Sequence, residues 1–409
     1  MTTSPATIPA LDRIQALEHE HIAQTYRRHP VAFVRGEGVY LFDTEGRRYL
    51  DLLSGIGVAS LGHAHPGLAH ALAEQAATLV HTSNLYFHTL QGQVASRLAS
   101  LSGLPRTFLC NSGAEAVEAC LKFARRYWYT RGERHRTGLV AFHHAFSGRT
   151  LGALSVTWDE HYRLPFQPLL PDVTFVKADE AAAIAASISD NTAAVIAEPI
   201  QGEGGVRPLP PATAAAIRDA CGRTGALFIA DEVQSGLGRT GVAFHFQTLG
   251  LTPDLVAVGK ALGGGVPVAA ALLSERVAST LQFGDHGTTY GGNLLACRAA
   301  LVFLEALVEG GLLRHVATVG AHLEAGLRAL AARHSCVREV RGRGLMWGLE
   351  LAQDATPVVQ AALARGLIVN RTSETVVRLL PPFIITSAQV DEGLELLDGV
   401  VGDATRGER

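Results

Sequence analysis

Between Phe108 and Leu273 the chain alternates short, continuously apolar runs with Ala-rich or loop-like stretches. The runs are LVAF (139–142), VTFV (173–176), AAVIAE (193–198), ALFIAD (226–231), LVAV (255–258) and VAAALL (268–273). Each is too short for a helix and has almost no polar alternation, a pattern that suits strands buried on both faces of a mostly parallel sheet. DEAAAIAASIS and PATAAAIRDAC lie between the runs, Ala-rich and helical in period, so a doubly wound α/β large domain is predicted over residues 68–300. Upstream, GVYLFDTEGRRYLDL (38–52) reads as a hairpin turning at Thr44-Glu45-Gly46. After SGIGVASLGHAHP the pattern becomes helical from Leu68. From about residue 300 long amphipathic helices appear, followed by RGRGLMWGLEL and TVVRLLPPF as strand candidates. These predict a smaller α+β domain over 301–409, joined by the N-terminal segment and hairpin, 1–67. No internal repeat or long linker interrupts the scheme.

Composition narrows the function classes. The 409 residues exceed the ~250 at which a single core stops growing, so two packed domains and a sizeable buried site are expected. With 47% hydrophobic and 18% charged residues the chain is not disordered, and a net charge of −3 leaves no global basic field for nucleic acid. The most apolar stretch, Ala261 to Leu273, is 13 residues, short of the ~18 a membrane span needs. MTTSPATIPALDRIQ lacks a basic start and apolar core, and the five cysteines (110, 120, 221, 297, 336) form no CxxC pair. The expectation is a reduced, cytoplasmic protein.

Only Lys122, Lys177 and Lys260 are lysine; the other 32 basic side chains are arginine. Genomic base composition accounts for such a bias, yet each remaining lysine becomes a candidate for work that a permanently charged guanidinium cannot do. Lys260 stands in LVAVGKALGGGVPVAAALL, the sole charge in an apolar, glycine-rich run directly after a predicted strand. Burial there favours the neutral amine, as imine formation with an aldehyde requires. A snorkelling lysine at a strand end is the alternative.

Asp231 and Glu232 end the apolar run ALFIADE, where an acid points into the crevice at the carboxyl end of a parallel sheet. A carboxylate there suits a protonated pyridine nitrogen, and a helix N-cap suits Asp231 nearly as well. In CNSGAEAVEACLKFARRYW, Asn111-Ser112-Gly113 signals a turn and cap, with Val117, Cys120, Leu121, Ala124 and Trp128 at helical spacing. A small-residue loop opening a helix is a phosphate cradle or an ordinary helix start. HHAFSGRT adds Phe146, fit to lie on a planar ring, and Arg149, fit to fork onto a carboxylate.

GLGRTG (236–241) matches GxGxxG with Asp254 beyond it, but the preceding strand ends too early and no long helix follows. A nicotinamide site is set aside. His63-Ala-His65 and His19-Glu-His21 lack the companion ligands of a metal site, and neither a GxSxG elbow nor a Walker lysine is present.

NSGAE, the aromatic-SGRT, EPIQGEGG, ADEVQSGLGRTG, GKALGGG, HGTTYGGN and RLLPP occur in that order. Together they resemble the class III, fold-type I pyridoxal-phosphate aminotransferases from about Val31 to the end of the chain. Within the class the chain is similar to acetylornithine aminotransferases, and more so to the branch making lysine on the carrier protein LysW. Ser147, where acetylornithine enzymes commonly carry histidine, is the departure that favours that branch.

The resemblance implies that pyridoxal 5'-phosphate is carried on Lys260, with Asp231 at the pyridine nitrogen and Gln234 at the phenolic oxygen. It further implies that Phe146 and Val233 cover the ring and that Gly113 and Ala114 hold the phosphate, with Glu232 among the cofactor contacts. Thr289 of a neighbouring subunit would complete the phosphate site in a homodimer. For substrates it implies glutamate/2-oxoglutarate and an ω-semialdehyde, LysW-bound aminoadipate semialdehyde first and acetylornithine chemistry as the alternative. Arg378 would bind the glutamate α-carboxylate and be neutralised by Glu203 for the other substrate, while Arg149 and Thr288 hold the distal carboxylate. Another fold-type I reaction, decarboxylation or amino-group migration, would use the same Lys260 and Asp231.

Residues 125–136, RRYWYTRGERHR, hold five arginines against Glu133. They read as a solvated helix end and loop, or as a surface near the pocket mouth that steers an acidic carrier.

Overall fold

The computed structural model describes residues 10–406. Three strands, β1 (Phe33–Glu37), β2 (Tyr40–Asp43) and β3 (Arg48–Asp51), form an antiparallel meander. The predicted hairpin turn is fixed by Asp43, whose Oδ1 accepts from the N–H groups of Glu45 and Arg47, both at 2.9 Å, an aspartate-centred turn that tolerates the left-handed Gly46.

The central sheet contains β4 (Arg106–Cys110), β5 (Gly138–Phe142), β6 (Val173–Val176) and β7 (Thr192–Ala197). A short pair, β8 (Ile200–Gln201) and β9 (Arg207–Pro208), interrupts the order. The sheet then takes β10 (Leu227–Asp231), β11 (Leu255–Val258) and β12 (Ala269–Leu273). Its order is β4-β12-β11-β10-β7-β5-β6. Only β12 runs antiparallel to its neighbours. All six apolar runs are strands of this sheet. The alternate residues explain why: Leu227 and Ile229 enter one core cluster with the helix Gly113–Thr130, while Phe228 and Ala230 enter another on the opposite face. Neither face meets water, so neither tolerates polar alternation. The predicted helix stripe is buried as its spacing requires, through Val117, Cys120, Leu121, Ala124 and Trp128.

The C-terminal region builds an antiparallel sheet from β13 (Val337–Arg343), β14 (Met346–Leu351), β16 (Asn370–Thr372) and β17 (Val376–Leu379). RGRGLMWGLEL is thus a tight hairpin rather than one strand. It turns at Gly344, at φ +56, where a Cβ would come within 2.5 Å of the Thr240 carbonyl carbon. Between these strands β15 (Leu367–Ile368) pairs in parallel with β3, Leu367 opposite Leu50. The N-terminal meander therefore leans on C-terminal chain.

The GxGxxG match lies in a run of turns followed only by the five-residue 3-10 helix His245–Leu249, and Asp254 is occupied structurally, accepting from Phe228 N at 3.0 Å and pairing with Arg276. His65 caps the helix Pro66–Thr78, and His63 meets Asp51 at 2.8 Å. Among the described residues no group of three or more His, Cys, Asp or Glu is arranged to hold a metal, and no helix is long and apolar enough to cross a membrane.

Candidate active site

The carboxyl ends of β7, β10 and β11 deliver three charged side chains to one place. β11 ends at Val258, and Gly259 passes so close to the helix Gly113–Thr130 that a Cβ would lie 3.4 Å from Gly113 N. Lys260 follows at φ +41, opening a single 3-10 turn. A non-glycine residue held there costs roughly 1–3 kcal/mol, strain of the kind that collects at functional sites. Burial pulls the Lys260 amine down to about 8, with Glu203 working against that, Arg378 adding to it, and Glu198 and Asp231 again opposing. The other two lysines lie elsewhere: Lys177 pairs with Glu180 at 2.9 Å, and Lys122 meets His286 at 2.8 Å.

Asp231 is the last residue of β10 and is only 4% exposed. Burial lifts its carboxyl above the ordinary range, against the Val233 N–H, the Ser147 side chain and Lys260. Directly after β7, in the register position beside Asp231, comes Glu198. Its Oε1 accepts from Phe146 N and its Oε2 from Gly202 N, both at 2.9 Å. Burial first, and then the facing Asp231, push the Glu198 carboxyl well up. Sequence reasoning did not single out Glu198. Its signal was nonetheless present, since AAVIAE ends in an acid just as ALFIAD does.

Glu232 follows Asp231 directly. The strand end turns its side chain away, and its carboxylate accepts from Ser235 Oγ and Phe246 N, both at 2.7 Å. It fixes the 235–246 loop.

Ser112 caps the helix Gly113–Thr130, accepting from Glu115 N at 3.2 Å, while Glu115 Oε2 returns to Asn111 N at 2.8 Å. The first-turn N–H groups of Gly113 and Ala114 have no helical acceptors, as at any helix start. A Cβ on Gly113 would lie 2.6 Å from Val233 Cγ1, and one on Gly148 2.8 Å from Ala114 Cβ. The helix start, Val233, the Phe146 loop and Gly259 thus converge beside Lys260.

Arg378, on β17, is fully buried. Its Nη1 lies 2.5 Å from Glu203 Oε1 and 3.2 Å from Gln234 Oε1, and its Nε donates to Asn370 Oδ1 at 3.1 Å. Its Nη2 has no partner among the described residues. Burial works to raise the Glu203 carboxyl, but Arg378, Lys260 and Gln234 together hold it below its usual value. Gln234 also donates to Glu203 at 3.3 Å. Its amide thus joins the Arg378–Glu203 pair through one N–H and its oxygen.

Arg149 is exposed and stacks on Tyr162 at 3.6 Å, with Phe146 at 5.3 Å. No hydrogen bond ties it to the Arg378 cluster among the described residues. Thr288 is drawn to Asn111, whose Nδ2 donates to its Oγ1 at 3.2 Å, and so sits by the helix start. Thr289 is exposed. The arginine-rich segment begins at Arg125, about 18 Å from Gly113 along the helix Gly113–Thr130 at about 1.5 Å per residue, and runs past the helix end, about 25 Å away. Arg136 is buried there, donating to the carbonyls of Thr192 and Thr224, and Arg126 pairs with Asp285.

A buried amine, an adjacent pair of acids, a helix start offering free N–H groups and an aromatic beside them fit a phosphorylated aromatic aldehyde. The chain belongs to the class III aminotransferases, the family described as "Aminotransferase class-III", which it matches over residues 21–401. It is 43% identical to the acetylornithine aminotransferase of Methanocaldococcus jannaschii over 384 residues, 94% of this chain and 96% of that protein. The acetylornithine aminotransferase of Archaeoglobus fulgidus is 44% identical over 380 residues, 93% of this chain and 98% of that one. Among solved structures, Toxoplasma gondii ornithine aminotransferase, with partial occupancy of PLP at its active site, superposes with a TM-score of 0.93 at 30% identity, covering 98% and 96% of the two chains.

Proposed function

We propose that this protein is a pyridoxal-phosphate ω-aminotransferase exchanging an amino group between glutamate/2-oxoglutarate and acetylornithine with its semialdehyde. The acetylornithine relatives support this substrate over the LysW-linked one that the sequence alone favoured. The observation that carries the reading is Arg378, fully buried beside Glu203 with one guanidinium nitrogen unpaired. A buried unpaired donor of this kind is costly unless a ligand meets it. Glutamate brings an α-carboxylate to meet it, whereas a substrate reacting at its ω-carbon brings none and is served by Glu203 masking the charge.

Bound at Lys260, the cofactor supplies an electron-withdrawing ring that stabilises negative charge on the reacting carbon. The chain supplies the rest. Asp231, kept in place by the Val233 N–H, holds a proton at the ring nitrogen. Gly113 and Ala114 direct N–H groups at the phosphate, and Phe146 and Val233 exclude water from the ring faces. Lys260 Nζ, poised near neutral pH, moves the proton on the substrate carbon. Arg149 takes the distal carboxylate once it leaves its stack on Tyr162. The exposed Leu85, Tyr86, Phe87 and Tyr290 support a homodimer in which Thr289 serves the neighbouring site. The division at residues 67 and 300 belongs to the same proposal.

Single-turnover spectra of the loaded protein test it. Glutamate and acetylornithine should each convert the bound cofactor to its amine form, and 2-oxoglutarate should reverse this. Release of CO2, or a response to only one of the two donors, would overturn the reading.

A further inference from the structure

Glu198 is a buried acid for which the reaction, as proposed, has no use. Its two oxygens are each committed to a backbone N–H on a different loop. Oε1 takes Phe146 N from the loop after β5, and Oε2 takes Gly202 N from the loop carrying Glu203. Gly202 in turn lies against Gln234: a Cβ there would come within 2.2 Å of Gln234 Oε1. Thr372 Oγ1 closes the far side of this second loop, donating to Glu203 O at 2.6 Å. On the first loop Ser147, next to Phe146, donates its N–H to Thr157 Oγ1 at 3.0 Å. One carboxylate therefore clasps the loop of the ring-covering aromatic to the loop of the acid that masks Arg378. A side chain with a single acceptor oxygen cannot do this, and neither can one shorter by a methylene.

We propose that Glu198 is a positioning residue that couples the placement of Phe146 to that of Glu203, so that covering the ring and masking Arg378 are one linked adjustment. The inference rests on the two-substrate reading of Arg378 and Glu203 given above. Its location beside Asp231 adds a consequence. Repulsion from that neighbour is relieved when Asp231 faces a cation, which strengthens the charged form of Glu198 and with it both clasps. Loading the site would thus tighten the two loops together.

Hydrogen exchange on the wild-type and Glu198→Gln proteins, each with and without pyridoxal phosphate, tests this directly and needs no substrate. Gln keeps the shape and one acceptor but turns an N–H toward the second donor. The expected result is exchange about tenfold faster or more in both 143–149 and 200–206 of the variant, and a loading-dependent protection of both segments in the wild type only. Thr157→Val, which touches only the first loop, should speed 143–149 alone. A second readout is kinetic. Glu198→Gln should change the ratio of the glutamate to the acetylornithine half-reaction by at least about fivefold, whereas a merely structural loss lowers both equally. Exchange rising in one segment only, or an unchanged ratio, overturns the coupling. A wild-type protein inert to both amino donors would instead overturn the two-substrate reading, while the exchange experiment still decides the clasp.

Discussion

Arg378 and Glu203 meet at 2.5 Å, one on β17 and the other in the turn between β8 and β9, and the pair leaves Arg378 Nη2 unpaired among the described residues. The asymmetry between them matters: Arg378 is wholly buried on a strand, while the Glu203 side chain is 33% exposed on a loop. The acid is the member that can move.

Arg378→Ala should therefore raise KM for glutamate and 2-oxoglutarate by about 100-fold, the scale for losing a buried charge-assisted partner, with a far smaller effect on acetylornithine. Glu203→Ala should have the reverse selectivity, impairing acetylornithine because Arg378 is left unmasked. Steady-state constants for both substrates in both variants check this, and equal losses throughout would remove the switch.

Lys260→Ala should abolish both transamination and the visible absorbance of the loaded protein, while Lys177→Ala, whose amine is paired with Glu180 at the surface, should keep both. Arg at 260 should fail like Ala, since a guanidinium forms no imine.

The depressed amine also sets a pH dependence in the cofactor-free protein. Folded Lys260 loses its proton at about 8, against 10.5 for the unperturbed side chain. Between those values the unfolded chain binds more protons than the folded one, so this group's contribution to stability rises with pH. Lys260→Met should accordingly be more stable than wild type at pH 7, with the advantage shrinking as pH climbs from about 8 to about 10.5. Denaturant midpoints at pH 7, 8.5 and 10 measure it; a constant difference would show that the amine is not buried in charged form.

These predictions draw on features of unequal visibility in the sequence. Five of the six strands were legible because burial on both faces removes polar alternation, while the edge strand β6, with Thr174 exposed, keeps a polar position. β4 was not, since RTFLC opens with two polar residues at a strand end that reaches solvent. The Gly344 turn was hidden inside a single strand candidate, RGRGLMWGLEL, because what demands a glycine there is the backbone of Thr240, about a hundred residues away in sequence. Lys260 and Asp231 were legible from their apolar contexts. Glu198 and the engagement of Gln234 with Arg378 depend on how neighbouring strands end in space, which no local pattern records. The same limit applies to the arginine-rich segment, whose charge was plain but whose distance from the site came only with the length and direction of its helix.

Asp231→Asn isolates the acid's charge from its shape. Asn retains the acceptor for the Val233 N–H but cannot hold a proton at a pyridine nitrogen, so the variant should bind some cofactor and lose at least 100-fold in the rate of proton abstraction, roughly 2.7 kcal/mol of barrier. A second consequence follows from Glu198, whose carboxyl is pushed up partly by Asp231: with that charge gone it should titrate lower. Isotope-edited infrared spectra of the Glu side chain across pH would report the change, and a loss of activity under tenfold would return Asp231 to the role of a turn cap.

The arginines of the 125–136 segment divide by burial, and substitution should separate them. Arg136 stacks on Trp128 at 3.7 Å and satisfies the carbonyls of Thr192 and Thr224, so Arg136→Ala strands two acceptors and should cost about 2–4 kcal/mol in unfolding free energy. Arg131 and Arg134 lie over Tyr127 and Tyr129 at the surface, where such contacts are worth about 0.5–1 kcal/mol. Reversing both to Glu should change stability little. Because the helix sets them about 25 Å from the cofactor cradle, the reversal should leave kcat/KM for acetylornithine within about twofold at low and physiological salt, since fields from exposed charges fade over about 8 Å at physiological ionic strength. If an acidic carrier-linked substrate were the physiological partner after all, the same double variant would lose activity on it selectively and the loss would vanish at high salt; identical salt slopes for wild type and variant leave the segment as the solvated end of a buried helix.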